Sequence, residues 1–201
     1  MSVDLQCCMI ELPEMNRYLH NIFSRHHKKR ILNSNLKPAA VLIPLFYKKS
    51  ELHILFIKRS NSVVYHKGQI SFPGGQIQKT DANLQDTALR ESWEEIGLSP
   101  QDAEIIGELD DTRTRTTRFL ISPFIASIPY PYKFKINPQE ISGIMEVPVT
   151  SLMDRSSYKR RRVIDEGESI LTFTYDYNGE IIWGATARIL KQLLELLKNQ
   201  T

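Results

Sequence analysis

The sequence predicts an α/β sandwich, a mixed β-sheet with helices packed on both faces, and three observations carry that reading. Short apolar runs rich in Val, Ile, Leu and Phe recur along the chain at strand length. Helical periodicity appears near the start, in the middle and at the end, so strands and helices alternate instead of segregating. No Gly-, Ser- or Pro-rich linker divides a chain of 201 residues that is 41% hydrophobic, which suffices for one core.

The elements follow in order. A first helix is expected over residues 14–32, then strands at 39–47, 52–58 and 69–72. Phe72-Pro73-Gly74-Gly75 ends the third strand in a tight turn whose glycines allow close backbone approach and can expose carbonyl oxygens. The next helix spans 83–96, with Thr80 or Asp81 placed to cap its start and Gly97 to end it. Strands at 103–109 and 119–127 precede a pair at 161–164 and 170–177. Tyr177-Asn178-Gly179-Glu180 has the composition of a hairpin turn and leads into a strand at 181–183. A closing helix over 185–198 sets Ile189, Leu193 and Leu197 on one apolar face. There is no internal repeat and no low-complexity tract.

Composition narrows the function classes. A net charge of +3 and a pI near 8.8 are too mild to indicate nucleic acid, and no motif interleaves basic and aromatic residues. His26-His27-Lys28-Lys29-Arg30 and Lys159-Arg160-Arg161-Arg162 read as solvated faces. The longest apolar stretch, residues 39–47, is interrupted by Pro44 and too short to span a bilayer, so no membrane partner is expected. Met1–Ile10 has neither the charged start nor the apolar run of a signal peptide, which suggests a cytoplasmic protein. Cys7 and Cys8 are adjacent and poorly placed to bridge each other, so no disulfide framework is expected.

The chemistry concentrates in Arg90-Glu91-Ser92-Trp93-Glu94-Glu95-Ile96-Gly97-Leu98. At about 100° per residue, Glu91, Glu94 and Glu95 share a helix face, while Leu89, Trp93 and Ile96 form an apolar stripe suited to packing on a sheet. The acidic face should then look into a cleft or solvent. At ~6 Å and an effective dielectric of ~20, a pair of these carboxylates repels by roughly 3 kcal/mol, and a hard divalent cation would offset that. A solvated acidic helix is the simpler alternative. Against it stand the glycine turn, the capping residues and Arg90, four residues before Glu94 and able to fix a carboxylate in place. Glu91 and Glu95 are the first candidate ligands, with Glu94 in the same cluster and the Gly74 or Gly75 carbonyl contributing. Arg113, Arg115 and Arg118 offer guanidinium forks suited to phosphate oxygens.

Residues 72–98 resemble a Nudix box, whose pattern is Gly, five residues, Glu, seven residues, Arg-Glu, two residues, Glu-Glu, one residue, Gly and an aliphatic residue. The second half is matched from Arg90 to Leu98, but fourteen residues separate Gly75 from Arg90 where the pattern has thirteen, and the nearest acid to its middle Glu is Asp81. That expansion, with Thr80-Asp81-Ala82 and Ala88-Leu89-Arg90-Glu91, is similar to the coenzyme A diphosphatase branch. Leu55, Arg59, Ser60, Gly68 and Phe72-Pro73-Gly74-Gly75 match the branch's upstream signature, whereas Val64 stands where it has a second Arg.

The resemblance covers roughly residues 36 to 197. It implies a Nudix-type α/β/α sandwich with a mixed sheet, a helical extension over 1–35 and a single Nudix domain over 36–201. The implied activity is metal-dependent hydrolysis of a nucleoside diphosphate linked to another group, with Mg2+ or Mn2+ as cofactor and a small-molecule nucleotide as substrate. In the coenzyme A branch the products would be 4′-phosphopantetheine and adenosine 3′,5′-bisphosphate. Glu94, Glu140 and Arg90 take the catalytic positions, with Glu140 the candidate base and Glu146 or a box glutamate the alternatives. Arg59 and His66 join Arg113, Arg115 and Arg118 as substrate-binding candidates. ADP-ribose or NADH hydrolysis, a non-catalytic nucleotide-binding module and a nucleic-acid-binding protein remain alternatives. A homodimer is the self-association left open.

Overall fold

The computed structural model describes residues 12–32, 35–60, 68–165 and 167–198. Cys7, Cys8, Val64, His66 and the Met1–Ile10 segment lie outside the described residues. The elements, in order, are α1 (Leu12–Ser24), β1 (Lys37–Lys48), β2 (Glu51–Arg59), β3 (Ile70–Ser71), β4 (Gly74–Gln76), α2 (Leu84–Ile96), β5 (Glu104–Glu108), β6 (Thr112–Arg113), β7 (Phe119–Ser127), β8 (Ile141–Pro148), α3 (Val149–Met153), β9 (Tyr158–Asp165), β10 (Glu168–Tyr177), β11 (Glu180–Ile182) and α4 (Gly184–Lys198).

Strand β1 organises the main sheet. Along one edge it runs parallel to β7 from Lys37–Phe119 to Leu45–Ser127. Along the other it pairs antiparallel twice, near its end with β2 and near its start with β4. Strands β1 and β2 therefore part after their hairpin. Beyond that point β2 pairs with β3 on one side and with β8 on the other. The chain crosses from β3 to β4 at Phe72-Pro73, which delivers Gly74 and Gly75 to the edge of β1. One parallel and several antiparallel pairings make the sheet mixed, and β9, β10 and β11 form a second antiparallel sheet.

Strand alternation divides the core into two layers. Ile43 and Leu45 of β1 pack with Leu19, Ile22 and Phe23 of α1 and with Ile189, Leu190 and Leu193 of α4. Ala40, Leu42 and Phe46 point the other way, to Ala88 and Ile96 of α2. Ile189, Leu193 and Leu197 are buried as their spacing predicts. Asn178 and Gly179 make the expected hairpin turn with φ of 51° and 84°, and Tyr177 pairs with Glu180.

Three expectations need correction. The first helix stops at Ser24, not at residue 32. Continuing its apolar stripe from Ile22 and Phe23 would place His26 and His27 on the core, and the basic segment instead turns to carboxylates. His26 Nε2 lies 3.0 Å from Asp110 Oδ1, and Lys28 Nζ lies 3.0 Å from Glu108 and 3.1 Å from Asp111. Asp110 and Asp111 also accept from the backbone N–H of Lys29 and Ile31. This cluster is a clamp, not a solvated face: the Lys28 side chain is 12% exposed. Second, β8 was not anticipated as a strand, since Gly143 and Pro148 blur its alternation; pairing with β2 supplies what propensity withholds. Third, α2 is capped by Asn83, whose side chain accepts from the Asp86 N–H, and not by Thr80 or Asp81.

Candidate active site

Helix α2 lies against β1 and β4 with a face that differs from the expected one. Trp93 is 55% exposed, and the buried positions are Thr87, Ala88, Ser92, Glu95 and Ile96. Small residues let the helix come close to the glycine strand, so Glu95 enters the protein at 2% exposure while bulky Trp93 stays outside. The three glutamates accordingly diverge. Glu95 is buried, Glu91 is partly buried and Glu94 sits on the rim with its side chain 47% exposed.

The two glycines make this approach possible. Gly74 has φ of 153°, and a Cβ there would stand 2.3 Å from the Ala40 carbonyl oxygen. Its N–H donates to Glu95 Oε2 at 3.0 Å. A Cβ on Gly75 would stand 2.5 Å from the carboxyl carbon of Glu91. In the β1–β4 ladder, Leu42 N–H donates to the Pro73 carbonyl and Ile77 N–H to that of Pro38. Alternation between those pairs puts Ala40 and Gly75 in the hydrogen-bonded position, turning the Gly75 carbonyl toward β1 and the Gly74 carbonyl away from it.

Arg90 uses all five of its N–H donors within the protein. Nε and Nη2 form a fork on Asp81 at 2.8 and 3.0 Å, Nη1 reaches Glu91 at 2.8 Å and Glu94 at 2.9 Å, and Nη2 also reaches the Gln76 carbonyl at 3.0 Å. Asp81 additionally accepts from Thr87 Oγ1 and Gln78 N–H, both at 2.9 Å. The Arg90 guanidinium holds the Asp81 carboxyl far below the usual carboxylate range, and Asp81 in turn raises Arg90. Sequence reasoning offered Asp81 as a helix cap, but its role is to anchor Arg90. The nine-residue separation between Asp81 and Arg90 gave no signal, since the loop between β4 and α2 sets their distance.

Glu140 reaches the cluster by a different route. Residues 129–140 cross the end of α2, where Lys135 N–H donates to the Ile96 carbonyl and Asn137 N–H to the Glu95 carbonyl, both at 2.9 Å. These bonds satisfy carbonyls that the helix end leaves open. Ser60 N–H then donates to the Glu140 carbonyl at 2.7 Å, tying that residue to the end of β2. Arg59, also at that end, lies with Nη1 3.8 Å from Glu95 Oε1. Burial pushes Glu95 up to about 8; Gly74 N–H and Arg59 oppose the shift, and Glu91 and Glu140 add to it. Burial also raises Glu91, with Arg90 opposing and Glu94 and Glu140 adding.

The structure thus gathers Glu91, Glu95, Glu140, Gly74, Gly75, Arg90 and Arg59. Arg113, Arg115 and Arg118 are exposed on the β6–β7 hairpin, across β1 from β4, and the Arg113 carbonyl accepts from Arg188. His66 lies outside the described residues. Buried carboxylates that raise one another's affinity for protons fit a divalent cation, which would relieve their repulsion. No three His, Cys, Asp or Glu side chains among the described residues are placed to hold an ion by themselves, so the fitting donor set is two carboxylates completed by backbone and substrate oxygens.

Comparison with known proteins agrees with this architecture. A family model described as the NUDIX domain matches residues 36–167. The chain is 33% identical over 164 residues to an uncharacterized Nudix hydrolase NudL of Photorhabdus laumondii, covering 82% of this chain and 87% of that protein. A NudL of Enterobacter sp. (strain 638) is 33% identical over 159 residues, 79% of this chain and 82% of the relative. A MutT/nudix family protein from Enterococcus faecalis superposes with a TM-score of 0.57 at 14% identity, over 94% of this chain and 70% of that one. The NUDIX domain of Shewanella oneidensis NrtR, solved with ADP ribose, gives 0.56 at 17% identity over 82% and 90%. Both likenesses speak to the fold alone.

The chain belongs to the Nudix family. It is a Nudix hydrolase, of a class that acts on nucleoside diphosphate derivatives and generally uses divalent metal ions.

Proposed function

We propose that this Nudix hydrolase cleaves the diphosphate of coenzyme A or its derivatives, releasing 4′-phosphopantetheine and adenosine 3′,5′-bisphosphate. The carrying observation is that Glu91 and Glu95 face the Gly74-Gly75 strand while Asp81 locks Arg90 beside them. Asp81 belongs to the Thr80-Asp81-Ala82 turn that accompanies the expanded box of the coenzyme A branch, so the anchor and the expanded spacing have one explanation.

Glu91, Glu95 and the Gly74 carbonyl would hold Mg2+ or Mn2+, which when bound neutralises diphosphate oxygens and lowers the pKa of a water. Glu140 would take the proton as the water oxygen bonds to one phosphorus; the bridging P–O bond breaks and its electron pair leaves with the departing phosphate. Arg90 acts by holding Glu91 and Glu94, having no donor left for substrate. Arg59 Nε is buried without a hydrogen-bond partner among the described residues, which suits it to a diphosphate oxygen. Arg113, Arg115 and Arg118 are the candidate contacts to a 3′-phosphate. Val64, in place of the signature's second Arg, favours a second reading in which ADP-ribose, NADH or another dinucleotide is the better substrate.

The test is a panel of coenzyme A, 3′-dephospho-coenzyme A, ADP-ribose and NADH with magnesium or manganese, on wild type and on Arg113→Ala, Arg115→Ala and Arg118→Ala. Coenzyme A should be cleaved fastest, and loss of one phosphate contact should reduce its advantage by about tenfold to a hundredfold. A wild type indifferent to the 3′-phosphate would sustain the broader reading. Undiminished turnover in chelator would overturn metal dependence.

A further inference from the structure

Asn137 has every polar group committed, and the commitments run in one direction. Its N–H donates to the Glu95 carbonyl at 2.9 Å. Its carbonyl accepts from Glu140 N–H at 3.1 Å and from Ile141 N–H at 2.8 Å, closing the turn that starts β8. The side-chain Oδ1 accepts from Gln139 N–H at 3.2 Å, and Nδ2 donates to Glu140 Oε1 at 3.1 Å. The amide orientation is fixed, since a flipped amide would set its NH2 against the Gln139 N–H and its oxygen against the Glu140 carboxylate. One residue therefore connects the backbone of buried Glu95 to the carboxylate of Glu140.

We propose that Asn137 is a positioning residue for the hydrolytic reaction, holding the Glu140 carboxylate at a fixed place relative to Glu91 and Glu95. The inference rests on the reading of Glu140 as the base that takes the proton of water. A carboxylate on a loop would otherwise sample several rotamers, and an N–H bond to one oxygen leaves the other free to accept a proton in a defined direction. The bond to Glu95 ties that direction to the helix that carries Glu91 and Glu95, so the distance between base and candidate metal ligands does not depend on the rest of the loop. The sequence points to Glu140 and not to Asn137, because an Asn-Pro pair reads as ordinary turn chemistry.

Asn137→Asp tests this. It preserves volume, all three backbone bonds and the acceptor for Gln139, while the donor facing Glu140 becomes a carboxylate oxygen whose charge repels that side chain. With coenzyme A and magnesium, kcat should fall by about tenfold to a hundredfold, the range found when a group orienting a metal-site residue is removed. KM should change by less than about threefold, with an unchanged melting temperature. The same substitution in a Glu140→Gln background should lower kcat by less than about twofold further, because the group it orients is already gone. Wild-type kcat in Asn137→Asp would overturn the positioning role while leaving Glu140 as base. An equal fall in both backgrounds would also overturn it, marking Asn137 as structural. Wild-type kcat in Glu140→Gln would overturn the reading of Glu140 as base, and the proposal with it.

Discussion

Asp81 and Asn83 sit two residues apart and do unrelated work, which mutation can separate. Asp81→Ala removes the fork that holds Arg90 and should lower kcat/KM by about tenfold to a hundredfold, as loss of an orienting partner does elsewhere. Asn83→Ala removes only the cap and should cost about 1 kcal/mol of stability with kcat unchanged. Equal kinetic effects would refute that division. Glu95 makes a prediction about pH. Its folded-state value of about 8 lies above the ordinary 4.5, so its contribution to stability is fully present below pH ~4.5 and is lost as pH rises through about 8. In chelator, the wild-type melting temperature should fall over that window more than that of Glu95→Gln, whose amide does not titrate. Parallel curves would contradict the shift. The sequence identified Glu91 and Glu95 because their chemistry is written in spacing. It did not disclose Glu95's burial, which depends on the small residues opposite it.

Helix α2 and strand β4 act as one element, and glycine decides how close they come. Gly75→Ala should displace the Glu91 carboxylate and cut turnover steeply, since the added Cβ meets that group at 2.5 Å. A Cβ on Gly143 in β8 would meet nothing within 4 Å, so Gly143→Ala should leave activity intact. Similar losses in both variants would show that backbone freedom, not contact with Glu91, is what matters at Gly75. At this scale the sequence was legible where a local signal exists: α2 ends at Gly97 with φ of 68°, as the glycine implied. It was silent on β8 and on the crossing of residues 129–140. Each is held by partners far along the chain, β2 for the first and the end of α2 for the second.

At the scale of the whole molecule, apolar periodicity foretold two helical faces and a mixed sheet. The parting of β1 from β2 depended on long-range register that no local window contains. The same holds for the clamp formed by His26, Lys28, Asp110 and Asp111, which joins the segment after α1 to the turn between β5 and β6. Its basic run reads as an obvious target for trypsin, yet a protease cleaves only chain that has opened locally. Here the N–H groups of Lys29 and Ile31 are bound to Asp110 and Asp111. Cleavage after Lys28, Lys29 or Arg30 should therefore be slow and change little with added salt, because these ion pairs are largely buried, while Asp110→Asn with Asp111→Asn should nick rapidly. A cluster that looks like an invitation to proteolysis is in this way a latch whose release can be timed on a gel.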